Sequence, residues 1–170
     1  EDIDLLVIGT TTPDLVFPNV GCLLQERLGI HGGAAFSIEA ACSGFIYALS
    51  VADKFIRSGE SKCALVVGAE TLSRIVDWTD RTTCVLFGDG AGAVVLKPDD
   101  NAGIISTHLR ADGRYKDLLT AKTGVSVQPP GDALREGYNV TMSGNEIFKV
   151  AVKSLESIVE ETLAHNSIDR

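Results

Sequence analysis

Short continuous apolar runs alternate with stretches of helical spacing through the first two-thirds of the chain. Asp4 to Thr12 reads as an apolar strand that ends in small hydroxyl residues. Asn19 to Leu28 reads as a helix, with Asn19 as its cap and Gly29 just past its end. Ala34–Ile38 predicts a buried strand, and Phe45 to about Ser58 a helix closed by Gly59. Cys63 to Ala69 is the next apolar strand. Apolar runs separated by helices predict a mostly parallel sheet covered on both faces, in an α/β protein.

The rhythm changes after Val85. Phe87-Gly88-Asp89-Gly90-Ala91-Gly92-Ala93 is glycine-dense and leads into the strand Val94–Leu96. A dinucleotide fingerprint needs a helix after its glycines, so NAD binding is rejected. Glycines in a strand predict a bulge or a close backbone approach. Lys97 to Gly103 is a polar turn and marks a boundary, giving pieces 1–101 and 102–170. Gly103–Leu109 reads as a new strand, and Thr123 to Gly137 as a surface loop. Met142 to about Asn166 reads as a long helix, with Phe148, Val152, Leu155, Val159 and Leu163 on one face. Ser143 is placed to cap it, with Glu146 in capping-box register.

Composition narrows the function classes. The 170 residues are 45% hydrophobic with a formal net charge of −8, which argues for a folded core and against nucleic-acid binding. No run approaches a membrane span. The four cysteines, at 22, 42, 63 and 84, form no C-x-x-C pair, so zinc and thioredoxin chemistry are not expected and a reducing cytoplasm is. Cys22, Cys63 and Cys84 lie in apolar runs and read as buried structural thiols.

Cys42 is different. It sits in Ala40-Ala41-Cys42-Ser43-Gly44-Phe45, between the strand at 34–38 and the helix from 45. A thiol at a strand-to-helix elbow lies beside unpaired helix N–H groups and the positive end of the dipole, which favours the nucleophilic thiolate. The alternative is a simple buried cysteine. A nucleophile needs a base or cationic partner. His31, His108 and His165 each read as structural or surface residues. Phe17 before Pro18-Asn19 reads as a hydrophobic staple. Arg81, in Trp78-Thr79-Asp80-Arg81, is either a phosphate- or ring-binding arginine or a solvated one.

Several longer motifs carry a resemblance. They are Ala-Ala-Cys-Ser-Gly-Phe around Cys42, Ala-Leu-Val-Val-Gly-Ala-Glu at 64–70 and Asp-Trp-Thr-Asp-Arg at 77–81. Phe-Gly-Asp-Gly-Ala-Gly-Ala at 87–93, Gly-Ile-Ile-Ser-Thr-His-Leu-Arg-Ala-Asp-Gly at 103–113 and Met-Ser-Gly-Asn-Glu-Ile-Phe-Lys-Val-Ala-Val at 142–152 continue it. With them the chain resembles the β-ketoacyl-acyl carrier protein synthase III family, the condensing enzymes that start bacterial fatty-acid synthesis. The resemblance implies a thiolase-like fold layered α-β-α-β-α. Residues 1–101 would hold most of the first half and 102–170 the start of the second. It also implies a middle segment of a longer chain, with the family's catalytic His and Asn beyond Arg170.

The resemblance further implies that Cys42 takes the acyl group of a short acyl-CoA and passes it to malonyl-acyl carrier protein, with no metal or other cofactor. Arg81 would stack on the CoA adenine, and Phe17 would reach across a homodimer to close the partner's acyl pocket. Leu72, Leu86, Phe87 and Met142 would line that pocket. Gly144, Asn145 and Phe148 would line the pantetheine tunnel, and Lys149 would meet the carrier protein. Glu39 and Ser43 depart mildly from the family, where aspartate and alanine are also found. Two rivals are a thiolase-fold condensing enzyme with another primer and a non-catalytic acyl-binding module.

Overall fold

The computed structural model describes residues 2–101, 103–122, 124 and 138–169. The chain forms two compact units: Glu1–Thr71 with Asp89–Leu109, and Leu72–Gly88 with Arg110–Arg170.

The first unit is built on a four-stranded sheet of β1 (Leu5–Gly9), β2 (Ala34–Ile38), β3 (Ala64–Thr71) and β4 (Asp89–Leu96), in the order β2-β1-β3-β4. β1 pairs in parallel with β2 and with β3, and β4 runs antiparallel to β3. Helix α1 (Val20–Arg27) joins β1 to β2, and α2 (Gly44–Ser58) joins β2 to β3. The expected mostly parallel sheet is therefore present, with strand β2 at the predicted residues.

The core lies between the sheet and α2. Leu5 and Val7 of β1 and Ala64 and Val66 of β3 pack with Ala48 and Ala52 of α2, each 1% exposed or less. Alanines on the helix let it lie close to the strands. Gly59 ends α2 at φ +80°, a left-handed cap open to glycine at little cost. Asn19 caps α1 as expected, its Oδ1 accepting from Cys22 N.

Several expectations need correction. β2 is not buried: it lies at the edge of the described sheet, with Ala34 and Ser37 exposed and Ala35, Phe36 and Ile38 half-buried. β4 is exposed along its length except at Leu96, so the sheet is not covered on both faces there. Its glycines make no bulge, because β4 pairs with β3 without interruption from Asp89 to Leu96. Nor do they mark a close approach, since a Cβ on Gly90 or Gly92 would meet nothing within 4 Å. Residues 103–109 form no strand. The segment instead bonds to α2, with the Ile104 carbonyl accepting from Arg57 and the Thr107 hydroxyl paired with Ser50. Cys63 is buried, but Cys22 and Cys84 are only half-buried.

The second unit holds a two-stranded antiparallel sheet of β5 (Leu119–Ala121) and β6 (Val140–Met142), followed by α3 (Gly144–His165). Ser143 stands at the cap position, but its hydroxyl makes no capping bond. Its carbonyl accepts from Glu146 N and Ile147 N instead. The predicted loop Thr123 to Gly137 lies almost wholly outside the described residues.

Candidate active site

In the first unit the site grows out of the carboxyl ends of the parallel strands, where open α/β sheets place their ligands. β1 ends at Gly9. A Cβ there would stand 2.5 Å from the Gly44 carbonyl carbon and 2.8 Å from Phe45 N. Gly44 returns the contact, and Gly68 on β3 faces the Phe45 ring. Three glycines thus let the first turn of α2 sit down on the strand ends.

The chain reaches that turn through a short 3-10 turn, Ala41–Ser43. Ala41 has φ +44°, a left-handed conformation that costs an alanine roughly 1–3 kcal/mol. Strain of this kind gathers where a side chain must be aimed. The next residue is Cys42, exposed and free. Ser43 N bonds Ala40 O and Gly44 N bonds Ala41 O. The Cys42 N–H has no partner among the described residues and is open to an incoming oxygen. An exposed thiol with an unspent N–H at a helix start can attack a carbonyl and hold the oxyanion. The elbow was legible in the sequence. The strain at Ala41 and the role of Gly9 were not.

Phe17 also belongs to the first unit. It is 83% exposed on the segment between β1 and α1, so it is no hydrophobic staple. His31 stands at the opposite end of the sheet from Cys42, beside the Gly32-Gly33 turn that meets Asp4 ahead of β1. His108 pairs through Nε2 with the Ser106 hydroxyl, and His165 closes α3.

The remaining candidates lie in the second unit. Arg81 is exposed in a loop of turns and has no ion-pair partner among the described residues. Two aspartates hold that loop. Thr79 donates its hydroxyl and N–H to Asp77, and Thr82 donates both to Asp80. These bonds hold both carboxyls below the usual carboxylate range. Leu72 and Phe87 are half-buried and Leu86 is 64% exposed. Met142 ends β6, with its methyl 3.6 Å from where a Gly144 Cβ would be. Asn145, Phe148 and Lys149 follow on the first turns of α3, all exposed. Among the described residues no group of three or more His, Cys, Asp or Glu could hold a metal ion. No described helix is long and apolar enough to cross a membrane.

Sequence reasoning missed one network. Glu70, at the end of β3, accepts from Thr11 N (2.9 Å), Thr11 Oγ1 (3.0 Å) and Thr12 Oγ1 (2.7 Å). Its signal was present: an acidic residue closing an apolar strand, and a run of three threonines closing its neighbour.

An exposed, free cysteine at the head of a helix, above a mixed sheet of this order, fits the plan of a thiolase-like fold. The solved 3-oxoacyl-[acyl-carrier-protein] synthase III of Aquifex aeolicus matches at a TM-score of 0.87 and 45% identity, over 98% of this chain and 50% of that one. The family model for 3-oxoacyl-[acyl-carrier-protein] synthase III matches residues 36–113, a span that includes Cys42 and Arg81. A β-ketoacyl-[acyl-carrier-protein] synthase III of Xanthomonas campestris is 65% identical over 99% of the chain, and one of Thioalkalivibrio sulfidiphilus 63% identical over the same share. The chain belongs to the 3-oxoacyl-[acyl-carrier-protein] synthase III family. It spans about half (52%) of the length of these two relatives.

Proposed function

We propose that this chain carries the acyl-accepting half of a decarboxylative Claisen condensation that starts fatty-acid synthesis. The Cys42 thiolate attacks the carbonyl of a short acyl-CoA, acetyl-CoA in the first instance. A carbon–sulfur bond forms to Cys42, the bond to CoA breaks, and CoA leaves as its thiol after taking a proton. Malonyl-acyl carrier protein then loses CO₂. Its carbanion takes the acyl group, which frees Cys42 and yields the β-ketoacyl-carrier protein. Covalent capture divides one hard condensation into two easier steps. The observation that carries this reading is the exposed Cys42 thiol beside its own unpartnered N–H on a strained elbow.

The other roles follow the family. Arg81, exposed in a loop tied by Asp77 and Asp80, is read as the adenine-stacking arginine. Phe17 is read as the residue that closes the acyl pocket across a homodimer. Leu72, Leu86, Phe87 and Met142 are read as that pocket's lining. Gly144, Asn145 and Phe148 are read as the pantetheine tunnel, and Lys149 as a carrier-protein contact. Residues 1–101 are taken as the half that bears the nucleophile and 102–170 as the start of the second half, in a cytoplasmic enzyme. CoA thioester enters as substrate, and the chemistry calls for no metal or redox group.

The test is acyl transfer without malonyl-carrier protein, in protein of the relatives' full length. Peptide mass spectrometry is expected to find an acetyl group on Cys42 after incubation with acetyl-CoA. Labelling only by longer acyl-CoAs would move the assignment to a condensing enzyme with another primer. No labelling by any acyl-CoA would leave a non-catalytic module.

A further inference from the structure

The end of β3 does more than close the sheet. Ala64, Val66, Gly68 and Glu70 alternate onto the sheet face that carries α2, with Gly68 against the Phe45 ring at the start of that helix. Glu70 is thus the last side chain on the face where the Cys42 elbow lands. Across β4 it stands opposite Gly90, which leaves its carboxylate room to turn toward β1. There it gathers Thr11 N, Thr11 Oγ1 and Thr12 Oγ1. The Thr12 hydroxyl, having donated to Glu70, accepts from Thr71 N at 2.8 Å. Thr12 N donates to Thr10 Oγ1 at 3.2 Å.

The same short segment is tied on its other side. Thr10 N donates to Ile38 O at 3.1 Å, and Ile38 is the last residue of β2, four positions before Cys42. Thr10 to Thr12 therefore bridges the ends of β2 and β3, and the chain leaves this bridge toward Phe17. Beyond Thr12 the hold is weak: residues 13–18 are exposed. The anchor nearest to Phe17 on that side is the clamp at Glu70.

We infer that Glu70, through Thr11 and Thr12, is a positioning residue that fixes the segment running from β1 to Phe17 and so, in the homodimer, sets which acyl chain the partner subunit's Cys42 accepts. The inference rests on the proposed reading of Cys42 and Phe17. Hydrogen bonds to an ionised carboxylate are short and directional, so one acidic side chain can fix three donors at once. Glu70 does not touch the reacting atoms. Its loss is expected to loosen discrimination between chain lengths while leaving the chemistry at Cys42 in place.

The experiment follows acylation of Cys42 by acetyl-CoA and by butyryl-CoA in full-length protein, and takes the half-saturating concentration and the limiting rate for each. Glu70→Ala is expected to shift the acetyl-to-butyryl preference by about tenfold or more, the size of effect that a methylene gives in an apolar site. The shift is expected in half-saturation, with limiting rates held within about twofold, the split that separates positioning from chemistry. Glu70→Gln keeps one acceptor oxygen for Thr11 N and is expected to restore part of the preference. Thr12→Val removes one arm of the clamp at nearly constant volume, and is expected to shift the preference in the same direction by a smaller factor. An unchanged preference in Glu70→Ala, or equal losses for both primers, overturns the inference. If Glu70→Ala does not fold, Thr12→Val decides: a shift supports the clamp and an unchanged preference overturns it. Wild-type protein that labels with neither primer removes the reading of Cys42 itself. Wild type that labels normally beside variants of unchanged preference removes only the clamp.

Discussion

Helices α2 and α3 have the same kind of sequence and opposite fates. Both are amphipathic, with apolar residues at helical spacing. α2 buries Gly44, Ala48, Ser50, Ala52 and Asp53. α3 is longer, at 22 residues against 15, and buries none. Phe148, Val152, Leu155 and Val159 are between 48% and 69% exposed. Periodicity says which face of a helix seeks cover, and only the tertiary partner says whether cover is found. The first unit supplies that cover with small residues, alanine on α2 and glycine on the strand ends, which let the elements close up around Cys42.

The contrast is sharpest in function. Cys42→Ala is expected to lower condensation by roughly 10³-fold or more. Because Cys42 is exposed, thermal unfolding of the 170-residue chain is expected to stay unchanged. A loss of turnover with an equal loss of fold would make Cys42 part of the packing and erase the distinction between site and scaffold.

A second effect lies at the amino end of the sheet. Asp4 accepts from Ser61 Oγ (2.5 Å), Lys62 N (2.8 Å) and Cys63 N (3.2 Å), tying the start of β1 to the start of β3. Burial pushes its carboxyl up, but the Ser61, Lys62 and Cys63 donors outweigh burial, so it lies below its ordinary value of 3.8. Asp53 is held low in the same sense: burial raises it, and Lys54 and Arg57 more than offset that. With the folded value depressed, the unfolded chain binds more protons as pH falls below about 4. The stabilisation is therefore present above that pH and is lost as pH drops through the lower folded value. Asp4→Ala leaves a buried serine and two N–H groups without their acceptor, and is expected to cost roughly 2–3 kcal/mol at neutral pH. It is also expected to flatten the acid limb of a stability-against-pH curve. An acid limb as steep as wild type would assign the pH dependence elsewhere.

These anchors mark the boundary of what could be read from sequence. The spans of β1, β2, β3, α1 and α2 followed from apolar runs and the elbow at Cys42 from the junction between two of them, whereas Gly103–Leu109 forms no strand and β5 and β6 were not foreseen. Asn19 and Gly59 were visible because caps are local. Asp4 and Gly9 were not, because their partners lie 30 or more residues away and pairing register decides them. β2 looked buried for the same reason: an apolar pentapeptide does not reveal that it stands at an edge. The glycines of β4 misled in the other direction, suggesting a close approach where there is open space.

One substitution at two glycines isolates that point. Gly9→Ala would put a methyl 2.5 Å from the Gly44 carbonyl carbon, and overpacking of this kind is expected to cost roughly 1–3 kcal/mol. It should also slow Cys42 acylation, since the displaced group is the turn that carries the thiol. Gly92→Ala meets nothing within 4 Å, and alanine is expected to be neutral or to stabilise β4 by about 0.5 kcal/mol. Equal effects in denaturant unfolding would mean that the close approach of β1 to α2 is not specific to the elbow.

The smallest effect tests the two helices against each other. Ala48 of α2 is fully buried, while Leu155 of α3 is 64% exposed. Ala48→Ser places a hydroxyl in the core without an assured partner, and is expected to cost about 1–3 kcal/mol. Leu155→Ser removes more apolar surface, yet that surface already faces solvent, so its cost is expected to stay within about 0.5 kcal/mol. The ranking runs against hydrophobicity, since the larger apolar loss gives the smaller penalty. Burial, not residue type, sets the order. Chemical denaturation of both variants of the 170-residue chain checks it. A Leu155→Ser penalty equal to that of Ala48→Ser would show that the α3 stripe is covered in solution, and the two helices would then differ in partner and not in burial.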